Sequence, residues 1–376
     1  MRSVAWVAGV LVLAAASVVA WRVGVGGLAG GSSPASVDAV AALPRGVKIV
    51  YREFGAATDT IWAALAEDPA QRVALAQVEH AAGWGIGASL APDGGRLVYV
   101  AAADSSGTGQ VWVMGLDGSD RRRLGEGADA RIAPAWAPDG SAVAFVRDAG
   151  AGLSLVQVGM DGAETELVVG GALGLYPVGY SPDGGAFYYA QVTAAGTDFG
   201  AVSLDDGEVR LFARASDSIA RDWRLSPDGE RIVYLAPQVA YGRVHYRAFV
   251  VAMAGGDPVV LAAIETVAGD HFGPAWHPDG RDVTLGRAPA GDSAGAETVA
   301  AATGEVVQAL AGPARGFDVP VAWSPNGRYL VVRSFDGDSA RNPGRERDVV
   351  IGADGERRQI ATEGDAEFIG WLAPGP

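Results

Sequence analysis

Short runs of apolar residues recur along this chain, and each follows a turn sequence of the same kind. Three of the runs are residues 97–100, 232–235 and 329–332. They are almost continuously apolar rather than alternating with polar residues, which is typical of strands covered on both faces. Each follows Pro-Asp-Gly or Pro-Asn-Gly closely. The pattern therefore predicts short β-strands that are packed between neighbouring sheets.

The turn sequence belongs to a phrase that occurs six times. Trp136 opens its clearest copy, which reads Trp-Ala-Pro-Asp-Gly. Asp-Gly or Asn-Gly between two apolar runs is the strongest short-range signal of a β-hairpin, because Gly and Asn accept positive φ. The preceding proline fixes its own φ and has no N–H to offer to a ladder. The prolines of the six copies are Pro92, Pro138, Pro182, Pro227, Pro278 and Pro325.

The spacing of the copies predicts the architecture. Successive prolines are 44 to 51 residues apart, and a second turn such as Asp117-Gly118 occurs in each repeat. A period of about 40–50 residues with four short strands indicates an all-β fold, the β-propeller. Residues 367–371 supply a seventh first strand, which residues 47–54, 60–65 and 72–76 complete. We predict seven four-stranded antiparallel blades, one of them closed by both termini. Six blades with an irregular cap of terminal strands is the alternative.

An uncharged apolar segment precedes the repeats, between Arg2 and Arg22. About 18 apolar residues in a helix are just enough to cross a bilayer core. A cleavable signal peptide fits the same segment. Both readings place the propeller outside the cytoplasm, either on a single-pass membrane anchor or secreted or periplasmic after cleavage. The predicted parts are a signal anchor or signal peptide at 1–22, a flexible linker at 23–45 and the propeller at 46–376.

Composition limits the partners. The net charge is −15, so the surface repels nucleic acid and anionic lipid headgroups and favours solubility. We therefore expect no nucleic-acid partner, a membrane contact through the N-terminal segment only, and a monomer. The chain has no cysteine, which excludes disulfides, thiol catalysis and a lipid-modified N-terminal cysteine.

The sequence holds no strong catalytic motif. It has no Gly-x-Ser-x-Gly, phosphate loop or zinc-binding helix motif. Its histidines are only four, and His277 occupies a turn position that is Ser or Ala in other copies. Residues 336–339 (Asp-Gly-Asp-Ser) are similar to half of a calcium loop but have no glutamate at the far position. No cofactor is predicted, and calcium remains an alternative.

Residues that open the first strands should ring the central channel on the face of the long connections, which we call the mouth. Mixed charges and aromatic rings converging there suit a small-molecule or peptide site, although any wet channel opening shows them too. Insertions at 237–246 and 335–347 lengthen loops on this face. The candidate ligand-binding residues are Trp84, Arg131, Tyr176, Arg221, Asp222, His271, Asp318 and Glu367.

The repeated phrase resembles that of the TolB-like, WD-repeat-like propeller family. The copies at residues 136–140 and 323–327 carry the resemblance best, and it covers residues 47–371. It implies an extracytoplasmic bacterial protein of the kind that binds other proteins at the cell envelope. The chain departs from TolB in having no α/β domain before the propeller, and from true WD repeats in lacking the Trp-Asp dipeptide.

Two functions follow from these observations. The first is a membrane-tethered, non-catalytic propeller that binds a protein or peptide partner at the envelope. The alternative is an enzyme or sensor that acts on a carbohydrate or another small molecule in the central funnel. Its working groups would be Arg221, Asp222, His271 and Asp318.

Overall fold

A computed structural model describes residues 40–41, 43–148, 150, 152–170, 173–240, 242–261, 270–289, 291–361 and 365–372. The predicted anchor at 1–22 and most of the predicted linker lie outside these ranges. Among the residues that the structure does describe, no helix has the length and apolar character needed to cross a bilayer.

The named elements of the structure are all strands. The first fifteen are β1 (Lys48–Glu53), β2 (Thr58–Leu65), β3 (Arg72–Glu79), β4 (Ile86–Leu90), β5 (Arg96–Ala102), β6 (Thr108–Gly115), β7 (Arg122–Asp129), β8 (Ala135–Trp136), β9 (Ala142–Asp148), β10 (Leu153–Gly159), β11 (Glu164–Val169), β12 (Leu175–Tyr180), β13 (Ala186–Thr193), β14 (Gly196–Ser203) and β15 (Val209–Ser216). The others are β16 (Arg221–Leu225), β17 (Arg231–Ala240), β18 (Arg243–Ala252), β19 (Val259–Val260), β20 (His271–Trp276), β21 (Asp282–Arg287), β22 (Ser293–Ala294), β23 (Glu297–Ala300), β24 (Val306–Ala309), β25 (Gly316–Trp323), β26 (Tyr329–Phe335), β27 (Glu346–Gly352), β28 (Arg357–Gln359) and β29 (Ala366–Leu372).

The strands pair into antiparallel groups of four, so the predicted all-β propeller fold with four-stranded sheets is confirmed. The groups are β29-β1-β2-β3, β4 to β7, β8 to β11, β12 to β15, β16 to β19, β20-β21-β23-β24 and β25 to β28. A single residue pair, Ala128 with Arg147, links β7 to β9 and so joins the second and third groups. The short strand β22 adds a parallel pairing to β25.

The first group combines the two ends of the described chain. β29 pairs with β1, and the register places Ala366 opposite Glu53 and Leu372 opposite Lys48. The prediction that a C-terminal first strand joins three N-terminal strands is therefore confirmed. This pairing covers an edge of each strand that would otherwise be open to another chain.

The hydrophobic core lies between consecutive groups. One cluster joins Val98 of β5 to Val143 and Phe145 of β9, and another joins Phe199 of β14 to Tyr234 of β17. Because each sheet is covered on both sides, its middle strands need apolar residues at consecutive positions. This explains the nearly continuous apolar runs of the sequence.

The repeated phrase forms the predicted turns. Gly140 has a φ of 69° and donates its N–H to the carbonyl of Ala137 at 2.9 Å. Asp139 Oδ1 accepts the N–H of Ser141 at 2.9 Å. The tryptophan of the phrase bonds to the preceding group, since Trp136 Nε1 donates to the carbonyl of Ser89 at 3.2 Å. The phrase therefore makes a turn and also fixes one sheet to the next.

One predicted loop is a pair of strands instead. Residues 237–246 were expected to lengthen a loop, but β17 and β18 continue through them, with Pro237 opposite Tyr246 and Val239 opposite Val244. The inner strand β16 begins only at Arg221, opposite Leu235. Pro237 therefore lies beyond β16, where its missing N–H removes no ladder bond. The other insertion does contain a loop, at 336–345 between β26 and β27.

Candidate binding face at the mouth

The candidate residues lie at or just before the first strand of each group. Trp84 precedes β4, Arg131 precedes β8, Tyr176 lies in β12, Arg221 and Asp222 open β16, His271 opens β20, Asp318 lies in β25 and Glu367 lies in β29. Their side chains differ in what they contact. Arg131, Tyr176 and Arg221, together with their neighbour Trp223, form a partly open surface, which we call the open arc, whereas His271 and Asp318 are fully buried.

Arg131 is the most exposed member of the open arc, with 61% of its side chain accessible. Its Nε and Nη2 atoms donate to the two carboxylate oxygens of the buried Asp129 at 2.8 and 2.7 Å. These bonds raise the pKa of Arg131. A bidentate pair of this kind fixes the guanidinium plane, so Arg131 presents an oriented cation to solvent.

Tyr176 and Trp223 supply the aromatic part of the open arc. Their ring centroids are 5.4 Å apart, and Trp223 Nε1 donates to the carbonyl of Pro177 at 3.2 Å. Burial raises the pKa of Tyr176, although Arg131 nearby acts in the opposite direction. Trp223 was not among the predicted site residues. The position of the repeated tryptophan is taken by Leu225 in this copy, so the repeat gave no signal for Trp223.

Arg221 connects the open arc to the hairpin of β17 and β18. Its guanidinium carbon lies 4.1 Å from the ring centroid of Tyr246, a favourable stacking of a cation on an aromatic face. Arg221 Nε is 3.7 Å from Asp222 Oδ2. Asp222 has a φ of 56°, a left-handed conformation that costs a non-glycine residue about 1 kcal/mol. Such strain is concentrated at functional sites.

His271 is buried in the wall of the mouth. Its Nδ1 accepts the N–H of Ala248 at 3.2 Å. Burial lowers the pKa of His271 to about 3, and Arg247 and Arg287 add to this effect. The ring is therefore neutral at physiological pH and bonds a neighbouring strand.

Asp318 and Glu367 are held by arginines. Arg357 donates to the two oxygens of the fully buried Asp318 at 2.9 and 2.7 Å. Glu367 bonds Arg52 and lies 3.5 Å from Arg333 Nη2. Burial alone would raise the pKa of Glu367, but the two arginines hold it below the usual range. These carboxylates join strands of the sheets, which leaves them little capacity for a ligand.

Trp84 is half-buried and packs against the core between the second and third groups. A Cβ atom on Gly107 would lie 2.7 Å from its Cη2 atom. The glycine thus permits the close approach of the indole ring. None of the contacts described for Trp84 involves a residue of the open arc.

The calcium-like segment makes contacts within its own loop. Asp336 Oδ1 accepts the N–H of Arg345 at 2.7 Å, and Asp338 accepts hydrogen bonds from Ser339 and Asn342 at 2.9 and 3.2 Å. Across the described ranges, no group of three or more His, Cys, Asp or Glu side chains is placed to hold a metal ion.

A charged network that the sequence did not indicate lies beside the mouth. Asp348 of β27 accepts the N–H of Phe368 at 2.8 Å and faces Arg333 Nε at 3.4 Å. It thereby ties the last complete group of strands to β29. Burial raises the pKa of Asp348 to about 6, although Arg333 acts in the opposite direction.

The raised pKa of Asp348 predicts a pH-dependent stability. An unfolded aspartate has a pKa of about 3.9, so the folded state binds the proton more tightly. The free energy of unfolding should therefore fall as the pH rises from about 4 to about 6. In Asp348→Asn the side chain stays neutral at every pH, as the protonated aspartate is. Relative to the wild type, we expect it to gain about 2 kcal/mol between pH 4 and pH 7, since one pKa unit is worth about 1.4 kcal/mol and the unfolded carboxyl is already about half ionised at pH 4.

Urea unfolding of both proteins at the two pH values measures this difference. Asp217, whose side chain is 97% exposed, supplies the control, since an exposed ion pair contributes little and Asp217→Asn should change the stability by less than about 1 kcal/mol. A constant difference for Asp348→Asn, or one of opposite sign, would contradict the prediction.

Comparison with known proteins identifies the family. A model of the TolB beta propeller domain matches residues 40–246, more than half of the chain. The chain belongs to the TolB β-propeller domain family. The resemblance predicted from the repeated phrase is confirmed. No curated protein sequence matches the chain significantly.

Solved structures share the fold at low sequence identity. TolB from Acinetobacter baumannii aligns with a TM-score of 0.51 and 15% identity, over 88% of this chain and 68% of that one. A puromycin-hydrolyzing peptidase from Mycobacterium tuberculosis aligns with a TM-score of 0.57 and 16% identity, over 84% and 53%. An oligogalacturonate lyase from Vibrio parahaemolyticus gives 0.55 and 13%, over 84% and 86%. At such identities the likeness concerns the fold alone.

Proposed function

We propose that this chain is a non-catalytic binding module for a protein or peptide partner at the cell envelope. The seven four-stranded groups would be seven blades of a ring that β29 and β1 close. Residues 1–22 would anchor or export the chain, residues 23–45 would be the tether, and residues 46–376 would form a monomeric propeller outside the cytoplasm. Membership of the TolB β-propeller domain family supports this proposal.

The open arc carries the proposal. Arg131 is exposed and oriented, Tyr176 packs against Trp223 in a tilted arrangement, and Arg221 lies on Tyr246. Arginine and large aromatic residues are enriched in protein interfaces and in the hot spots that dominate their affinity. Each of these side chains is already held by a neighbour, so binding orders few rotamers.

The enzyme or sensor alternative gains less support from the geometry. It needs Arg221, Asp222, His271 and Asp318 as working groups. His271 and Asp318 are fully buried and bonded to neighbouring strands. Only the two residues at the start of β16 remain partly accessible.

Cross-linking followed by reconstitution tests the proposal. A photo-cross-linking amino acid is placed at Tyr176 of the full chain in intact cells, and the protein found in the adduct is purified. We expect Arg131→Ala with Arg221→Ala to weaken its binding to the full chain at least tenfold. Arg122→Ala, on the outer strand β7, is the control and should leave the affinity unchanged. An affinity that the mouth variants do not alter would refute the proposal.

A further inference from the structure

The hairpin of β17 and β18 projects beyond its own sheet. β16 ends its pairing at Arg221 opposite Leu235, whereas β17 and β18 remain paired up to Ala240 and Arg243. Five residues of β17 therefore extend past the inner strand, which at about 3.3 Å per residue is about 16 Å. We call residues 236–247 the ribbon.

The ribbon has one apolar and one polar face. Because side chains alternate along a strand, the cross-strand pair Val239 and Val244 shares a face with the pair Pro237 and Tyr246. Val239 is 77% exposed and Val244 is 61% exposed. The opposite face carries Gln238 opposite His245. The ribbon thus presents an apolar surface to solvent at its tip.

The base of the ribbon is fixed. Asp270 Oδ1 accepts the N–H of Tyr246 at 2.9 Å and lies 3.5 Å from His245 Nδ1. The guanidinium of Arg221 covers the Tyr246 ring at 4.1 Å. These contacts hold the projecting strands in one orientation before any partner arrives, which lowers the entropy cost of binding.

The ribbon also has a free strand edge beside the mouth. The N–H and C=O groups of an antiparallel strand alternate in direction. Leu235 pairs with Arg221 on this side, so Val239 points its backbone groups the same way. Within the described ranges, no backbone group from outside the ribbon bonds to residues 236–240. Two buried side-chain atoms, the donor Arg221 Nε and the acceptor Gln238 Oε1, also lack a hydrogen-bond partner there.

We infer that an extended peptide segment of the partner protein adds to β17 along residues 237–239 as a further strand. A peptide backbone offers both the acceptors and the donors that this strand edge needs. Its apolar side chains would cover Val239 and Val244. Arg243 is exposed near the tip of the ribbon, and the ribbon sequence contains no acidic residue, so a segment that alternates apolar and acidic residues fits best.

The charge of the ribbon argues against a second copy of the chain as the occupant of this edge. The direction in which the ribbon projects argues against a bilayer. A second copy that pairs ribbon to ribbon would bring like charges together, since both would present Arg243. The chain reaches β1 at Lys48, which pairs with Leu65 and Leu372. That end of the sheet is opposite to the end from which the ribbon projects. An N-terminal anchor would therefore lie on the other face of the propeller.

This inference rests on the proposed function in that both place the partner on the mouth face. A displayed library of random twelve-residue peptides is selected against the full chain. We expect enriched peptides that alternate apolar and acidic residues. Val239→Asp should weaken their binding at least tenfold. Methylation of the peptide nitrogen that pairs with the carbonyl of Val239 should do the same.

Controls separate the strand edge from the apolar surface and from the open arc. Val169→Asp changes a valine that is 69% exposed on β11 and should leave the affinity unchanged. A shortened ribbon, in which Asn-Gly replaces residues 239–244 so that Gln238 and His245 close the turn, should abolish binding while its thermal unfolding stays cooperative. No enrichment, or equal binding to the shortened variant or by the methylated peptide, overturns the inference.

The other occupants have their own readouts. If the peptides lose affinity only with Arg131→Ala and Tyr176→Ala, the proposed function stands and the ribbon inference fails. If neither the open-arc variants nor the ribbon variants change the affinity for the peptides, both the proposed function and the ribbon inference fail. Cosedimentation with phosphatidylglycerol vesicles, or a dimer in sedimentation velocity, that Val239→Asp removes would also overturn the peptide inference.

Discussion

Asp59→Ala is expected to lower the free energy of unfolding by about 3–5 kcal/mol, because it removes one side of a buried charged network. Asp59 is fully buried. Its Oδ1 accepts from His80 Nε2 at 3.0 Å and from the N–H of Gly55 at 3.1 Å. Its Oδ2 accepts from Arg52 Nη1 and from the N–H of Ile86, both at 3.2 Å. All four donor atoms would lose this acceptor, while Arg52 keeps its bonds to Glu367.

Chemical denaturation measures this loss, and two variants define its origin. Asp59→Asn keeps one side-chain acceptor and should lose less than the alanine variant. Asp217→Ala removes an aspartate that also contacts an arginine, but on the surface, so its effect should stay within about 0.5 kcal/mol. An Asp59→Ala protein as stable as Asp217→Ala would show that the network does not hold β2 to β4.

Phe199→Ala is expected to cost about 3–5 kcal/mol, the range for removing a buried phenylalanine from a core. The ring is fully buried between β14 and β17. Its centroid lies 5.1 Å from that of Tyr234 and 6.3 Å from that of Trp223. Since Trp223 packs against Tyr176 in the open arc, the cavity should also weaken partner binding.

Phe199→Leu retains much of the volume and should lose less than half as much stability. Leu211→Ala is the control, because Leu211 is exposed on β15 and its truncation should be nearly neutral. Thermal and urea unfolding give the stabilities. A loss at Phe199 no larger than that at Leu211 would contradict the packing described for this pair of sheets.

The repeats made the fold predictable, because the residue types of each turn indicate the conformation of that turn. Pro138, Asp139 and Gly140 predict a hairpin wherever they occur, and the tryptophan before them bonds the preceding sheet. The terminal closure followed from counting first strands and finding one without partners near residue 371. Local signals and their period were sufficient for both.

The state of the mouth residues was less accessible to sequence reasoning. Position alone placed Asp318 and Glu367 at the mouth, but their arginine partners are 39 and 315 residues away in sequence. The carboxylate of Asp59 has a counterpart in the hydroxyl of Thr197, which accepts the N–H of Ala220 at 3.0 Å. Since different residue types fill the same role, no repeated sequence motif identifies this position.

The ribbon shows how extra length in a repeat can mislead. Residues 237–246 were predicted to lengthen a loop, and Pro237 would argue against a central strand there. The proline is compatible with β17 because β16 stops at Arg221, opposite Leu235. The tertiary arrangement of the inner strands sets where β16 begins, and the local sequence does not indicate this position.

Pairing of β1 with β29 joins the two ends of the described chain, and the proposed ring depends on it, so an engineered disulfide across this pair is the decisive test. The chain has no cysteine, and Glu53 lies directly opposite Ala366. Opposite residues of antiparallel strands have Cα atoms about 4.5–5.5 Å apart, within the range of a disulfide. Glu53→Cys with Ala366→Cys is oxidised under native conditions and analysed by thiol titration and mass.

We predict rapid and complete formation of an intramolecular disulfide, with a raised unfolding midpoint. The control is Lys48→Cys with Ala366→Cys, since Lys48 lies at the other end of β1, about 16 Å away, and its thiols should remain free. Free thiols in the Glu53 pair, or equal oxidation of both pairs, would contradict the closed ring and the mouth built on it.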